Sequence, residues 1–333
     1  MDRVLLDTVR GVGKRNDIVD HSLVMKAKSA GIESLKVRSP LTCDSAEGIC
    51  QKCYGLMPNG SLPNIGENVG VLESSALTER STQLTMQSFH SGGAASTAKN
   101  VSASFPRLQQ LIKVPENISG KASLAHMDGT VKKVEPNEIG GWEIFVNDIE
   151  HNVSPGRTPI VTVGQEVKKG EPLTDGPIKP QELGEITDHL TAQKYIVNEL
   201  SDIFGGAFYK KTMETVVRGI SDNAIIDEAP DDTGMYRGNK GTLSNFKKIN
   251  RERSQMGLEP IKYTPYFKSV DTLNVDSEDW LTRVTTNRIK DALQKGMAKM
   301  QFGDISGKDP IPAYIYGEDF GQPNKKGNTN GFY

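Results

Sequence analysis

An α+β chain built from several modules is what these 333 residues predict, on three observations. Hydrophobic residues make up 36% of the chain, against 33 glycines and 17 prolines, so short elements, many turns and much exposed surface are expected. The texture changes along the sequence: helical character marks 68–77, 79–89 and 188–220, whereas 121–177 reads as short strands cut by Gly, Pro and Asn-Asp turns. All three cysteines, Cys43, Cys50 and Cys53, fall within 11 residues, which points to a metal-organised unit and away from a disulfide framework. No apolar run approaches the roughly 18 residues needed to cross a membrane. The start, MDRVLLDTVRGVGKR, lacks the apolar centre of a signal peptide, so a cytoplasmic location is expected.

Residues 1–36 mix short apolar groups with turns and predict strands plus a helix around Ser22–Ala30. In SPLTCDSAEGICQKCYG, the Cys50-x-x-Cys53 pair followed by Tyr54-Gly55 has the form of a zinc-knuckle turn. Zinc favours four ligands in a tetrahedron, and three cysteines leave the set one short. The fourth place is open to His21 or Asp44, to water, or to a thiolate from another polypeptide. Three unliganded, buried or reactive cysteines are the competing reading. Nothing near them resembles the His and Glu machinery of a zinc hydrolase.

Val69, Val71, Leu72, Ala76 and Leu77 suit a helix, and helical character resumes from Glu79 to Phe89. Within TQLTMQSFHSGGAAS, from Thr82 to Ser96, Gln83, Met86 and His90 share one helix face, and Gly92-Gly93 supplies a joint directly after it. A lid that folds over a substrate has this pattern, and so has an ordinary helix end. The rhythm Val163…Val167…Gly170…Leu173 resembles the half-barrel of biotinyl and lipoyl carrier domains in fold only, because no modifiable lysine at a hairpin tip is evident. Two helices over 188–220 are broken at Gly205-Gly206, a basic helix follows at Leu243–Gly257, and another runs from Trp280 to Ala298. The Gly- and Asn-rich tail after Glu318 reads as disordered. Net charge is only -2, yet 237–300 holds 13 Lys/Arg against 7 Asp/Glu. Such a zone suits a phosphate backbone, or simply a solvated helical surface.

In order, these pieces resemble the C-terminal part of the largest subunit, β′, of multisubunit DNA-directed RNA polymerases. The resemblance is closest in KVRSPLTCDSAEGICQKCYG (36–55) and NIGENVGVLESSALTERSTQLTMQSFHSGGAAS (64–96), followed by Phe105-Pro106-Arg107-Leu108. It implies a fragment that does not fold into a complete enzyme alone. Its regions would be a zinc-binding part (1–63), trigger-loop helices (64–104), a β-rich barrel-sandwich-like module (105–180), a helical hairpin (181–225), a basic helical clamp and switch region (226–318) and a flexible tail (319–333). It implies that Met86 packs on the incoming base, that Gln83 supports ribose recognition and that His90 approaches the triphosphate. Gln87 stands where bacterial enzymes carry an arginine, and Glu73-Ser-Ser-Ala-Leu-Thr-Glu79-Arg80-Ser81 replaces A-A-Q-S-I-G-E-P-G, so the proline hinge becomes Arg80.

The N-A-D-F-D-G-D loop that holds catalytic Mg²⁺ in this family does not occur in the sequence, nor does the bridge helix. By the resemblance, Mg²⁺ sits on a partner subunit and zinc on Cys43, Cys50 and Cys53, its fourth thiolate coming from an N-terminal β′ fragment. Such a split resembles the polymerases of giant bacteriophages, working in the infected host or carried in the virion. Further implied partners are a β-like subunit, a promoter-specificity factor, DNA template, RNA and NTPs, with Arg283 and Arg288 as DNA-facing candidates. A non-catalytic zinc-containing nucleic-acid-binding module is the alternative.

Overall fold

The computed structural model describes residues 2–46, 48–90, 98–138 and 140–272, without the side chains of 83–90 and 98–104. Residues 1–273 form one compact unit. The Trp280–Ala298 helix, Arg283, Arg288 and the tail after Glu318 all lie outside the described residues.

Helix α1 (His21–Ser29) starts where Asp20 accepts a hydrogen bond from the Leu23 N–H at 2.8 Å, as an N-cap should. Leu23 and Ala27 on its inner face meet Leu5, Val12 and Val19 in a small N-terminal core. The strands expected before it reduce to isolated bridges, Val4 with Ile18, Leu5 with Val37 and Val9 with Gly13. The chain turns too often there for a ladder: Gly11 and Asn16 both take positive φ.

After the single-turn α2 (Gln51–Tyr54), α3 runs unbroken from Val69 to His90, and α4 spans Ala98–Lys113. The expected pause before Glu79 is therefore absent. Arg80, unlike proline, keeps the backbone N–H and clashes with no earlier carbonyl. The segment Phe105-Pro106-Arg107-Leu108, assigned from sequence to the start of a β-rich module, lies inside α4, because Leu108 and Leu111 are buried at helical spacing.

The β-rich part comprises β1 (Gly129–Pro136), β2 (Trp142–Val146), β3 (Ile149–Val153) and β4 (Glu166–Val167), in the antiparallel order β3-β2-β1-β4. Bridges Leu124–Pro172 and Pro159–Thr174 extend it into a curled half-barrel around Val131, Ile144, Val146 and Leu173. The β2–β3 hairpin turns on Asn147-Asp148, with Asn147 at φ 52°, the left-handed conformation a two-residue hairpin turn needs.

Helix α5 (Pro180–Ile186) precedes the expected pair, α6 (His189–Ile203) and α7 (Lys210–Ser221), which separate at Gly205-Gly206. Ile196, Leu200, Met213 and Val217 join Leu77 of α3 and Leu108 and Leu111 of α4 in the main core. Beyond α7 the sequence predicts only basic helices, but the described part contains a second sheet. Its strands are β5 (Asn223–Glu228), β6 (Lys240–Gly241) and β7 (Lys262–Tyr266), ordered β6-β5-β7, with α8 (Leu243–Gln255) packed on it. Ala224 and Ile226 alternate inward on β5, a signal obscured in the sequence by the surrounding acidic residues.

Candidate metal centre and the helix it supports

Two short turns build the cysteine cluster. The Ser39 hydroxyl accepts from the Leu41 N–H at 3.1 Å and opens a 3-10 turn, Pro40–Thr42, that delivers Cys43 at its end. Cys50 caps α2, and the N–H groups of Cys53 and Tyr54 both return to its carbonyl, at 3.0 and 3.1 Å. The helix stops at Gly55, φ 87°, where a Cβ would lie 2.2 Å from the Asp2 carbonyl oxygen. Only glycine lets the N-terminal segment cross here, and the Leu56 N–H then bonds that same carbonyl at 3.0 Å.

The three sulfurs lie within 4.8 Å of one another. Zn–S bonds of about 2.3 Å at tetrahedral angles put sulfurs about 3.8 Å apart, so a small contraction suffices for one ion to be shared. The Cys43 thiol is lowered to about 5, chiefly by a hydrogen bond from Cys53, with further help from the N–H groups of Cys50 and Ser45. The same interaction and burial raise Cys53. Three sulfurs this close, each of which a cation would deprotonate, are a donor set suited to zinc. Asp44 points to solvent and pairs with Arg251 at 3.6 Å, and His21 is exposed at the start of α1. Among the described residues neither joins the sulfurs.

Helix α7 grips this region with one face, through residues that the sequence reading passed over. Buried Arg218 donates to the carbonyls of Pro40 (2.8 Å), Cys43 (2.7 Å) and Ser45 (3.0 Å) and to the Ser244 hydroxyl (2.9 Å). Glu214 accepts two bonds from Arg3, both 2.8 Å, and one from Ser39 at 2.6 Å. Lys211 donates to the Leu56 carbonyl and lies over the Tyr54 ring, 4.9 Å from its centroid. Burial lowers the Lys211 pKa. The available signal was the spacing 211, 214, 218 on a helix whose other face carries Met213 and Val217. Charged residues so spaced usually face water, and here they face the knuckle.

Helix α3 is fastened to the same place. The buried Tyr54 hydroxyl donates to the buried Glu73 carboxylate, and Leu77, one turn on, enters the main core. Toward the C-terminus, hydroxyls of Ser74, Thr78, Ser81 and Thr82 bond back to carbonyls three or four residues earlier, at 2.7–3.2 Å. Such back-bonding weakens a helix slightly and favours bending. Gln83, Met86, Gln87 and His90 occupy the last two turns of α3; their side chains, and the Gly92-Gly93 joint, lie outside the described residues. On α4, Arg107 ties Glu199 (3.0 Å), the Tyr195 hydroxyl (2.6 Å) and the Ile178 carbonyl (3.1 Å) into one junction.

A model of the family described as RNA polymerase Rpb1, domain 5, matches residues 33–154, enclosing the cysteine cluster, α3 and the first three strands. Subunit beta′ of DNA-directed RNA polymerase from Bacillus subtilis (strain 168) is 30% identical over 295 residues, 84% of this chain and 24% of the relative. That of Caldanaerobacter subterraneus subsp. tengcongensis is 30% identical over 297 residues, covering 85% and 25%. That of Thermoanaerobacter sp. (strain X514) is 29% identical over 308 residues, covering 87% and 26%. The chain thus spans about a quarter of the length of the curated relatives it matches. Over that quarter it is homologous to the β′ subunit of bacterial RNA polymerase, the Rpb1 domain 5 region included.

Proposed function

We propose that this chain serves as a β′ segment of a multisubunit DNA-directed RNA polymerase and supplies the lid that closes on the incoming nucleoside triphosphate. The observation that carries the proposal is the family match over 33–154, which takes in both the three-cysteine cluster and the 82–96 segment. An unbroken α3 supports it by presenting Gln83, Met86, Gln87 and His90 at the end of a helix with a buried base.

In the reaction the RNA 3′-hydroxyl attacks the α-phosphate of the NTP and pyrophosphate leaves, with Mg²⁺ ions held by residues outside this sequence. Closure of the lid excludes water and orients the reacting groups. Met86 packs on the base, Gln83 supports the ribose, and His90 donates a proton or positive charge beside the leaving group. Gln87 offers an amide where the bacterial pattern has an arginine, without that residue's charge. Cys43, Cys50 and Cys53 hold a structural zinc whose fourth thiolate lies elsewhere, in the split-subunit reading on a separate N-terminal β′ chain. In that reading the remaining partners are a β-like subunit, a specificity factor, template DNA and RNA. Arg283 and Arg288 face the DNA, and the work takes place in the bacterial cytoplasm.

His90→Ala in the assembled enzyme tests the lid. Single-nucleotide addition is expected to slow by at least about tenfold with assembly intact. Unchanged elongation rules the assignment out. For the metal, zinc analysis of this chain alone should show weaker binding than in the assembled complex; equally tight four-sulfur binding by the chain alone contradicts a ligand from elsewhere.

A further inference from the structure

We propose that Glu73, Tyr54 and Lys211 act together as a positioning device that sets the angle at which α3 leaves the cysteine knuckle, and through it where the last turns of α3, ending at His90, are carried. The inference rests on the lid reading above.

The geometry is a three-part clamp across three elements. Tyr54 stands at the end of α2, directly after Cys53, and its side chain is 1% exposed. Its hydroxyl donates to Glu73 on the first turns of α3, and its ring receives Lys211 of α7 on one face at 4.9 Å. Glu73 and Lys211 are 7% and 5% exposed, so a carboxylate and an ammonium are both withdrawn from water with a tyrosine between them. Buried charges in such a place are costly unless each is partnered. Here the phenol O–H faces the anion, the ring face meets the cation, and the Leu56 carbonyl takes a hydrogen bond from the ammonium. Each partner specifies one orientation of the other two, which an apolar contact of the same volume would not do.

Leverage makes this matter. From Glu73 to His90 is 17 residues of one helix, about 25 Å at 1.5 Å per residue. A tilt of about 5° at the clamp moves the far end by about 2 Å, and misplacement of about 1 Å can cost two orders of magnitude in rate. Between Glu73 and His90 the helix is continuous and holds no proline that would break the transmission of a tilt.

The test uses the assembled polymerase with Tyr54→Phe, Glu73→Ala, Glu73→Gln and the Tyr54→Phe/Glu73→Ala pair. Tyr54→Phe and Glu73→Ala are expected to lower the maximal rate of matched-nucleotide addition by about three- to tenfold. The NTP concentration at half-maximal rate should move by less than about twofold, because substrate contacts are untouched. The double variant should lose no more than the worse single one. Glu73→Gln, which keeps an acceptor for the hydroxyl, should recover most of the rate. Subunit stoichiometry and metal content, measured on the same samples, identify any variant that fails to assemble; Tyr54→Phe, which removes one oxygen, then decides. Unchanged rates in assembled enzyme, additive losses or no rescue by Gln overturn the device. His90→Ala run in parallel separates the two readings. A normal rate there removes the lid itself, whereas slow His90→Ala beside normal Tyr54→Phe removes only the clamp.

Discussion

In the half-barrel, Val131, Ile144, Val146 and Leu173 bury one another completely, and neighbouring strands satisfy each other's backbone. In the cysteine knuckle, the carbonyls of Pro40, Cys43, Ser45 and Leu56 are met by two cationic side chains from α7, more than 150 residues further along the chain. In the first region the side chains contribute non-directional burial, and the directional bonds are main-chain ladders between strands near in sequence. The second is held by directional bonds between distant segments. Apolar packing tolerates a change of shape at moderate cost and keeps the damage local. A buried polar network fixes one arrangement and transmits any defect to every member.

Three measurements can break or sharpen that contrast. The largest effect should come from Arg218→Met, which leaves three carbonyls and a hydroxyl without their buried donor. A loss of about 3–5 kcal/mol is expected, together with loss of metal retention, read as a fall in the denaturation midpoint and in bound zinc. Arg218→Lys should recover only part of this, since an ammonium cannot reproduce the planar fork. Somewhat smaller, Ile144→Ala in the half-barrel should cost about 2–5 kcal/mol while zinc binding stays unchanged. If it also releases metal, the two regions are not independent.

The smallest effect is that of pH, and it is read from two histidines that burial shifts, one of them in the half-barrel. His151 in the half-barrel is lowered from 6.5 by burial and by His126, and His189 of α6 is lowered by burial. His151 Nε2 accepts from the His126 N–H at 3.2 Å, so its ring is neutral with the proton on Nδ1, facing the Ile149 carbonyl. Below about pH 6.5 the unfolded chain binds protons that these folded rings refuse, so their contribution is present above that pH and is lost as pH falls toward the folded values. The melting temperature should drop between pH 7 and 5. His151→Gln should flatten the slope in the half-barrel signal alone.

Much of this was legible in the sequence, for physical reasons. The helices α6 and α7 announced themselves by apolar spacing and by Gly205-Gly206, and the half-barrel by alternation between turns. The three cysteines, all within 11 residues, come together through local turns, so their cluster too was legible. The α7 contacts were not. Lys211, Glu214 and Arg218 have the composition of a solvated face, and only tertiary packing turns that face inward. Sheet β6-β5-β7 stayed hidden because two of its strands are interrupted by charge or proline, and β6 is two residues long. The Glu73–Tyr54 contact joins positions 19 residues apart on different elements, beyond any periodicity argument.

Three of the hydrogen bonds of Arg218 fall on main-chain oxygens of the cysteine loop. Main-chain oxygens are the same whichever side chain a position carries. A lineage in which one of the thiols mutated away would keep the outline of the loop, and with it the base of α3, so metal ligation and architecture are free to be inherited separately.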